Sequence, residues 1–574
     1  MTDLYQSFLK HRGYSEAFLL DRVSHTHMLP DNIDTLCHML NDYRVTKKHL
    51  VIVTDFDMDG IMSGVIAFAG LSELGFRVSL FTLDTDAYGF SSDEIDRLVR
   101  TYPDVSGIIT ADVGITCFKG VSRAYDHYGL DVFVTDHHRP KGEIKATCVY
   151  DPYLSSGDVN TSVCGAYVIY QILRHFAMYY VGCSSYYLCQ IDRLRVFVGI
   201  ATISDSMPLF YENIGVVKDS LQYINYLYNL VSVNSFTINQ YASILDGCDV
   251  YKNAFLGLYI FVEVCIHNKV LKSDYDISED FFGFYVAPIF NSVKRLSKNV
   301  LDAFNVFFGS IFDKYTYANK LFEYNVERKE QVSTYYDKFD LSSDGHIFIT
   351  EAGLGIAGLL AQKISDKTGE LALVVKKMPD GTYHGSGRCP EYFPFFDLVT
   401  EYGSNKFSVA GHKAAFGFFI SSDSSIEEVE DFICSHLINY EKPETKESYD
   451  FVVCDDVYYN NEVVSDDVDK CLFDMDEFSD FLEETSYLRP FGSGMPEPRG
   501  KFVFSLNNVD VITMGKNDEH VKFVVCGIPV VCFNCGDISN LTDRVCVSGR
   551  IVVNFFNDIT TIQVLGDILP ESYN

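Results

Sequence analysis

The chain has 574 residues, 47% of them hydrophobic and 22% charged, a balance that excludes a wholly disordered polypeptide and allows roughly three to four domains. Its 46 Lys and Arg against 79 Asp and Glu leave a formal net charge of −33, which excludes a uniformly basic protein that coats nucleic acid by bulk attraction. A nucleic-acid enzyme with a local basic cleft and a carboxylate-held metal stays open, and with no Trp but 38 Tyr and 45 Phe, any base-stacking surface is built from Tyr or Phe.

The opening stretch, MTDLYQSFLKHRGY, has no apolar signal core. Leu50 to Thr54 is a buried-strand run that ends at an acidic loop, and a helix-like stretch follows from Ser63 to Gly70. Arg77 to Leu83, Ser106 to Thr110 and Asp131 to Thr135 read as further strands. Strands alternating with helices predict an α/β fold with a parallel sheet, whose ligands bind beyond the carboxyl ends of the strands.

From about Asn213 to Glu330 the pattern is helical and aromatic-rich, the mark of a helical extension and connector. Its most apolar run, Leu256 to Ile266, is broken by Glu263, short of the ~18 apolar residues of a membrane span. From His346 to about Tyr440 the βα alternation returns with Gly-rich loops. Residues 441–485 hold acidic clusters (Asp455-Asp456, Asp466-Asp467, Asp474 to Asp480) and read as a solvated face or linker. After Pro490, Lys501 to Leu506, Val521 to Cys526, Val530 to Phe533, Arg544 to Val553 and Thr560 to Leu565 alternate with turn residues, as in a small β-barrel such as an OB-fold. The 16 cysteines form no disulfide framework, and Cys532-Phe533-Asn534-Cys535 lacks the second pair of a structural zinc site. A soluble protein with reduced thiols in a cytoplasmic compartment is expected, with no membrane partner.

The strongest local signal is Asp55-Phe56-Asp57-Met58-Asp59-Gly60, directly after a strand. Three carboxylates at alternate positions repel one another, and hard divalent cations relieve that repulsion. An EF-hand loop needs a Glu six residues after the Gly, where this chain has Ile66. Taken alone, the loop fits a solvated acidic turn as well as a metal site. Three other clusters shift the balance: Ala111-Asp112-Val113-Gly114, Thr135-Asp136-His137-His138 and Ile203-Ser204-Asp205-Ser206-Met207-Pro208-Leu209. Each places carboxylate or imidazole groups at the end of an apolar run, and together they fit Mn²⁺ well and Mg²⁺ less specifically.

With these four motifs in this order, the sequence resembles the DHH phosphoesterase superfamily. Ala287 to Leu296 (APIFNSVKRL) is similar to an element of its RecJ-type exonucleases. Gly355 to Ala361, Gly385-Ser386-Gly387-Arg388 and Ala410 to Gly417 resemble the DHH-associated domain, and Leu488 to Pro498 (LRPFGSGMPEP) resembles the segment before the RecJ OB-fold. The resemblance runs from about residue 45 to near the C-terminus. It departs at Lys294 and Ala410, where the family carries Gly.

The resemblance implies a parallel-sheet DHH catalytic domain over residues 1–215, a helical connector over 216–340, a DHH-associated substrate-binding domain over 341–440, an acidic linker over 441–499 and an OB-like β-barrel over 500–574. It implies two divalent cations, Mn²⁺ or Mg²⁺, with Asp55 and Asp57 on one, Asp59, His137 and Asp205 on the other, and Asp112 bridging. Asp136 then orients an imidazole, and His138 faces the phosphate as donor or general acid, a structural histidine being the competing reading. For the second domain, the backbone of Gly385, Ser386 and Gly387 would approach phosphate oxygens. Arg388 would pair with a phosphate bidentately, with Gly411 and His412 lining the same cleft. Arg295 is a phosphate contact from the connector. Ser91, in Tyr88-Gly89-Phe90-Ser91, either touches the terminal phosphate or closes a simple turn. In the barrel, Lys501, Lys516, His520, Lys522, Arg544 and Arg550 are candidate backbone contacts.

The implied function is 5′→3′ removal of mononucleotides from single-stranded DNA, in repair, recombination or replication, with RNA as the other substrate to weigh and a replication or repair protein as partner. The alternatives are a DHH phosphodiesterase of short oligonucleotides and a non-catalytic replication scaffold.

Overall fold

The computed structural model describes residues 1–83, 89–181, 185–232, 237–273, 277–341, 345–402, 406–442, 449–455, 470–515, 520–533, 535, 541–556 and 559–569. Three sheets organise them. The first is β1 (His49–Thr54), β2 (Arg77–Thr82), β3 (Val105–Ala111), β4 (Asp131–Thr135) and β5 (Cys148–Tyr150), all parallel in the order β2-β1-β3-β4-β5. Its central strands are continuous apolar runs because helices cover both faces of such a sheet, and every residue of β1 is buried. The helix-like stretch after β1 is longer than the sequence pattern predicts, running Met58–Glu73 with 14 of its residues buried.

Helices Glu212–Ser232, Asp249–His267, Ala287–Arg295 and Ile311–Tyr336 follow. They share one hydrophobic core with the first sheet, so the connector is continuous with that body. Among the described residues, Asp249–His267 is the one helix long and apolar enough to cross a membrane. It is packed inside this core, and its Glu263 carboxylate accepts a hydrogen bond from the Tyr315 hydroxyl.

The second sheet is β6 (Ile347–Ile349), β7 (Ala372–Lys377), β8 (Tyr383–Arg388), β9 (Phe407–Gly411) and β10 (Ala415–Ile420), in the order β6-β7-β8-β10-β9. Only β6 and β7 pair in parallel. The third sheet joins β11 (Phe451–Cys454), β12 (Lys470–Leu472), β13 (Gly500–Ser505), β14 (Asp510–Met514), β15 (His520–Val525), β16 (Ile528–Cys532), β17 (Arg544–Phe556) and β18 (Ile559–Ile568) in the order β12-β11-β13-β17-β18-β16-β15-β14.

Two features differ from the expected division. The stretch read as an acidic linker supplies β11, parallel to β13, and helix Met475–Ser486, whose Phe478 and Phe481 enter the core of the third sheet. Alternate Phe and Val side chains outweigh the acidic average there, since burial follows the inward face and not the mean composition. The N-terminal helix Asp3–Arg12, assigned to the first domain, also packs on the third sheet through Leu4 and Phe8. The acidic pair Asp466-Asp467 lies outside the described residues.

Candidate metal centre

The site forms where β1, β3 and β4 end. Asp57 caps the helix after β1, accepting the Gly60 N–H at 3.2 Å. A β-carbon at Gly60 would lie 2.5 Å from the Asp55 carbonyl group, so the turn admits only glycine. In the first turn of that helix, the buried Asp59 carboxylate accepts the Gly165 and Ala166 N–H groups at 2.7 and 2.9 Å, at the start of helix Gly165–Tyr179. Helix N-termini hold anions this way. Asp112 follows β3 with φ of 64°, a left-handed conformation uncommon outside glycine. Gly165 makes room for it, since a β-carbon there would meet the Asp112 β-carbon at 2.4 Å.

His137 joins these loops. Its Nδ1 lies 2.8 Å from the Val163 carbonyl oxygen, which fixes the proton there and turns the Nε2 lone pair inward. Nε2 stands 3.1 Å from Asp112 Oδ1, 3.6 Å from Asp59 Oδ2 and 3.7 Å from Asp205 Oδ2. Potential ligand atoms fall into the groups Asp55-Asp57-Asp112, Asp59-His137-Asp205 and Asp112-His137-His138, each within 4.8 Å. Asp112 thus reaches both halves of the site. Asp112 Oδ1 and Asp205 Oδ2 are buried with no hydrogen-bond donor. Such orphaned acceptors are costly unless a cation satisfies them, so the donor set fits a divalent metal.

Electrostatics point the same way. Burial, then Asp57, pushes Asp55 up to about 7, and burial, then Asp59 and Asp57, pushes Asp205 up to about 8. Burial raises Asp59 and Asp112 as well, Asp112 further through its acidic neighbours. Asp136 behaves differently. Burial would raise it, yet hydrogen bonds from His138 and the Ile115 N–H hold it below the usual range. Its Oδ1 lies 2.8 Å from His138 Nδ1, and this bond lifts His138 to about 9. Asp136 therefore orients His138, while a backbone carbonyl orients His137.

A cleft of about 960 Å³ opens over Asp55, Asp112, Asp136 and His138, and its far wall includes Gly411 and His412. These two sit in the β9–β10 hairpin, where Gly411 has φ of 129°. Lys294 lines the cleft with its Nζ 3.8 Å above the Phe56 ring. Ser91 is also in the wall, but its hydroxyl accepts the Glu94 N–H as a helix cap, the turn reading of that residue. Tyr88 lies outside the described residues.

The segment Gly385-Ser386-Gly387 is not a loop, and this corrects the expected role of its backbone. It lies in β8, paired on both sides, so its N–H groups belong to the sheet ladder. Its glycines serve packing: a β-carbon would lie 1.9 Å from the Val374 oxygen at Gly385 and 2.2 Å from the Phe416 ring at Gly387. Ser386 and Arg388 share the opposite face, which leaves side chains as the polar groups on offer. Arg388 donates to Gln362 Oε1 at 2.9 Å, and burial and then Arg295 lower its pKa. Arg295 donates to the Gly355 oxygen at 3.4 Å, and burial and then Arg295 lower Arg328 as well. In the third sheet, Arg550 is paired with Asp280 at 3.0 Å and with Glu497, and Lys516 lies outside the described residues.

The sequence reading missed residues that hold the ligands, Val163, Gly165 and Ala166, and gave no role to Asn291 of the APIFNSVKRL element, whose Oδ1 accepts the Met58 N–H at 2.8 Å. The one signal for Gly165 and Ala166 is a small-residue pair opening an apolar helix.

Residues 49–189 match the DHH family, N-terminal domain, and residues 471–566 match the RecJ OB domain. The chain is thus similar to DHH proteins in its first part and to RecJ in its C-terminal part. It is 23% identical over 552 residues to the single-stranded-DNA-specific exonuclease RecJ of Bacillus subtilis, an alignment covering 90% of this chain and 61% of that protein. The RecJ-like chain thus spans less than two thirds of that relative's length. RecJ from Thermus thermophilus in complex with Mn²⁺ has the same fold, with a TM-score of 0.69 at 18% identity, covering 99% of this chain and 76% of the other. The Mg²⁺ complex from the same organism gives 0.64 at 17%, covering 100% and 75%.

Proposed function

We propose that the chain is a metal-dependent exonuclease that hydrolyses single-stranded DNA from the 5′ end to mononucleotides, using two divalent cations, Mn²⁺ or Mg²⁺, in repair, recombination or replication. The reading rests on one observation above all: His137 Nε2 faces carboxylates from three separate loops, two of which carry orphaned buried oxygens. Asp55, Asp57 and Asp112 would hold one ion, and Asp59, His137, Asp205 and the shared Asp112 the other. Bound ions of this kind polarise a phosphodiester and lower the pKa of water.

The remaining roles belong to the chain's own side chains. Asp136 accepts from His138 Nδ1 and orients that imidazole, which lines the cleft and, when protonated, would donate from Nε2 to phosphate. Arg295, Ser386 and Arg388 would bind the phosphates of the strand leading away, and Gly411 and His412 close the cleft around it. A RecJ OB domain match and RecJ relatives named as single-stranded-DNA-specific support that substrate.

The test is digestion of 5′-labelled single-stranded DNA with Mn²⁺, Mg²⁺ or chelator, for the natural chain and Asp59→Ala, with folding of each verified by its melting curve. Label is expected as mononucleotide with metal only, and activity should fall by about 10²–10³-fold in a folded variant, the loss typical of one removed electrostatic group in an active site. Undiminished cleavage by the variant refutes the ligand assignment. First product from the 3′ side refutes the polarity, and turnover confined to short oligonucleotides points to a phosphodiesterase instead.

A further inference from the structure

We propose that His25, His27 and Asp158 form a second metal site, of transition-metal type and suited to Zn²⁺, that clamps the N-terminal arm to the DHH domain. It shares no residue with the centre described above and does not depend on the nuclease reading. Potential ligand atoms of the three residues lie within 4.8 Å of one another. His25 and His27 sit on the arm between helix Glu16–Ser24 and Pro30, and Asp158 lies on the loop that follows β5. Two imidazoles and a carboxylate are a Zn²⁺ donor set that leaves a fourth position to water.

The support behind these residues is what a metal site requires. His27 Nδ1 lies 3.0 Å from Glu212 Oε1, and the same oxygen accepts the His27 N–H at 2.9 Å. Glu212 is in turn fixed by Asn160, whose amide donates to Oε2 at 2.8 Å. This carboxylate–imidazole pairing commits Nδ1 and leaves Nε2 to face outward, the arrangement that orients histidine ligands. Tyr211, held at φ of 57°, packs its ring 4.7 Å from the His27 ring and 5.3 Å from that of His25. A bulky residue seldom adopts that conformation, and here it sets one aromatic ring against both imidazoles.

Without an ion, His25 Nε2 and Asp158 Oδ2 bond to each other at 2.9 Å. Tetrahedral Zn²⁺ ligands sit about 3.3 Å apart, so a small rotation converts that pair into two ligands. Entry is open, since the side chains of His25 and Asp158 are 37% and 62% exposed. The backbone already brings the arm and loop together, the Met28 N–H donating to the Asp158 oxygen at 2.8 Å.

The experiment is Zn²⁺ competition against a chromophoric chelator, with melting curves, on the full chain and on His27→Ala, Asp158→Asn and Glu212→Gln. The natural chain is expected to withhold one more equivalent of Zn²⁺ than His27→Ala or Asp158→Asn. Glu212→Gln should retain that equivalent about 10–100-fold more weakly. A Zn²⁺-dependent rise in Tm should shrink in parallel. Asp158 is exposed, so its variant tests the site even where His27→Ala fails to fold. Equal stoichiometry and affinity in the natural chain and Asp158→Asn overturn the proposal.

Discussion

Lys294 is the residue at which this chain departs most consequentially from the pattern it resembles. Its ammonium sits over Phe56 in the cleft wall and offsets part of the upward push on Asp55. If it also meets a phosphate, Lys294→Ala should weaken single-strand binding several-fold. It should also flatten the slope of log K against log salt by about 0.7, the value for one lost contact to a single strand. An unchanged slope means that the charge serves Phe56 and Asp55 alone. At this scale the acidic loops were legible together: the first alone fits a solvated turn equally well, but four carboxylate or imidazole clusters, each at the end of an apolar run, point to one metal-binding pocket. The supporting shell was not: Val163 acts through a backbone carbonyl, which any residue supplies. His25 and Asp158 are joined only by a fold that closes over more than a hundred intervening residues.

At the scale of elements, helix Ile311–Tyr336 buries a cation. Lys314 is fully buried, its Nζ donates to the Phe307 oxygen, and burial pulls its pKa from 10.5 down to about 8. Between pH 8 and 10.5 the unfolded chain therefore binds more protons here than the folded one, so this group's penalty is full below pH 8 and fades as pH rises. Lys314→Met should raise stability by about 1–2 kcal/mol at pH 7, the lost bond to Phe307 offsetting part of the gain. The advantage should narrow between pH 8 and 10, as read from denaturant midpoints at each pH. A constant gap would mean that Lys314 keeps its proton throughout. Strands β1, β3 and β4 were readable from continuous apolar runs. Strand β8 was not, because Gly385 and Gly387 look like loop chemistry and in fact yield space to Val374 and Phe416. Strand β14 escaped notice because four of its five residues are exposed at the sheet edge, where no apolar alternation is demanded.

For the whole molecule, the parallel sheet, the helical stretch, the second α/β unit and the C-terminal β unit were all visible as changes in periodicity. Which units touch was not, since packing between distant segments leaves no local pattern. The N-terminal helix shows this best. Arg12 Nε meets Asp450 Oδ1 at 2.5 Å, where the carboxylate is almost wholly buried and also accepts the Arg499 N–H at 2.8 Å. Removing one partner strands the other, so Arg12→Ala should cost about 3 kcal/mol in denaturant unfolding. A loss near zero would place Asp450's balance with Arg499 alone. Thr2 likewise bonds to Glu484, so helix Asp3–Arg12 can dock only once the stretch from Asp450 to Glu484 has been made. During synthesis on the ribosome the first sheet can assemble while this leading helix trails unpartnered, with Leu4 and Phe8 open to any chaperone that samples nascent apolar segments.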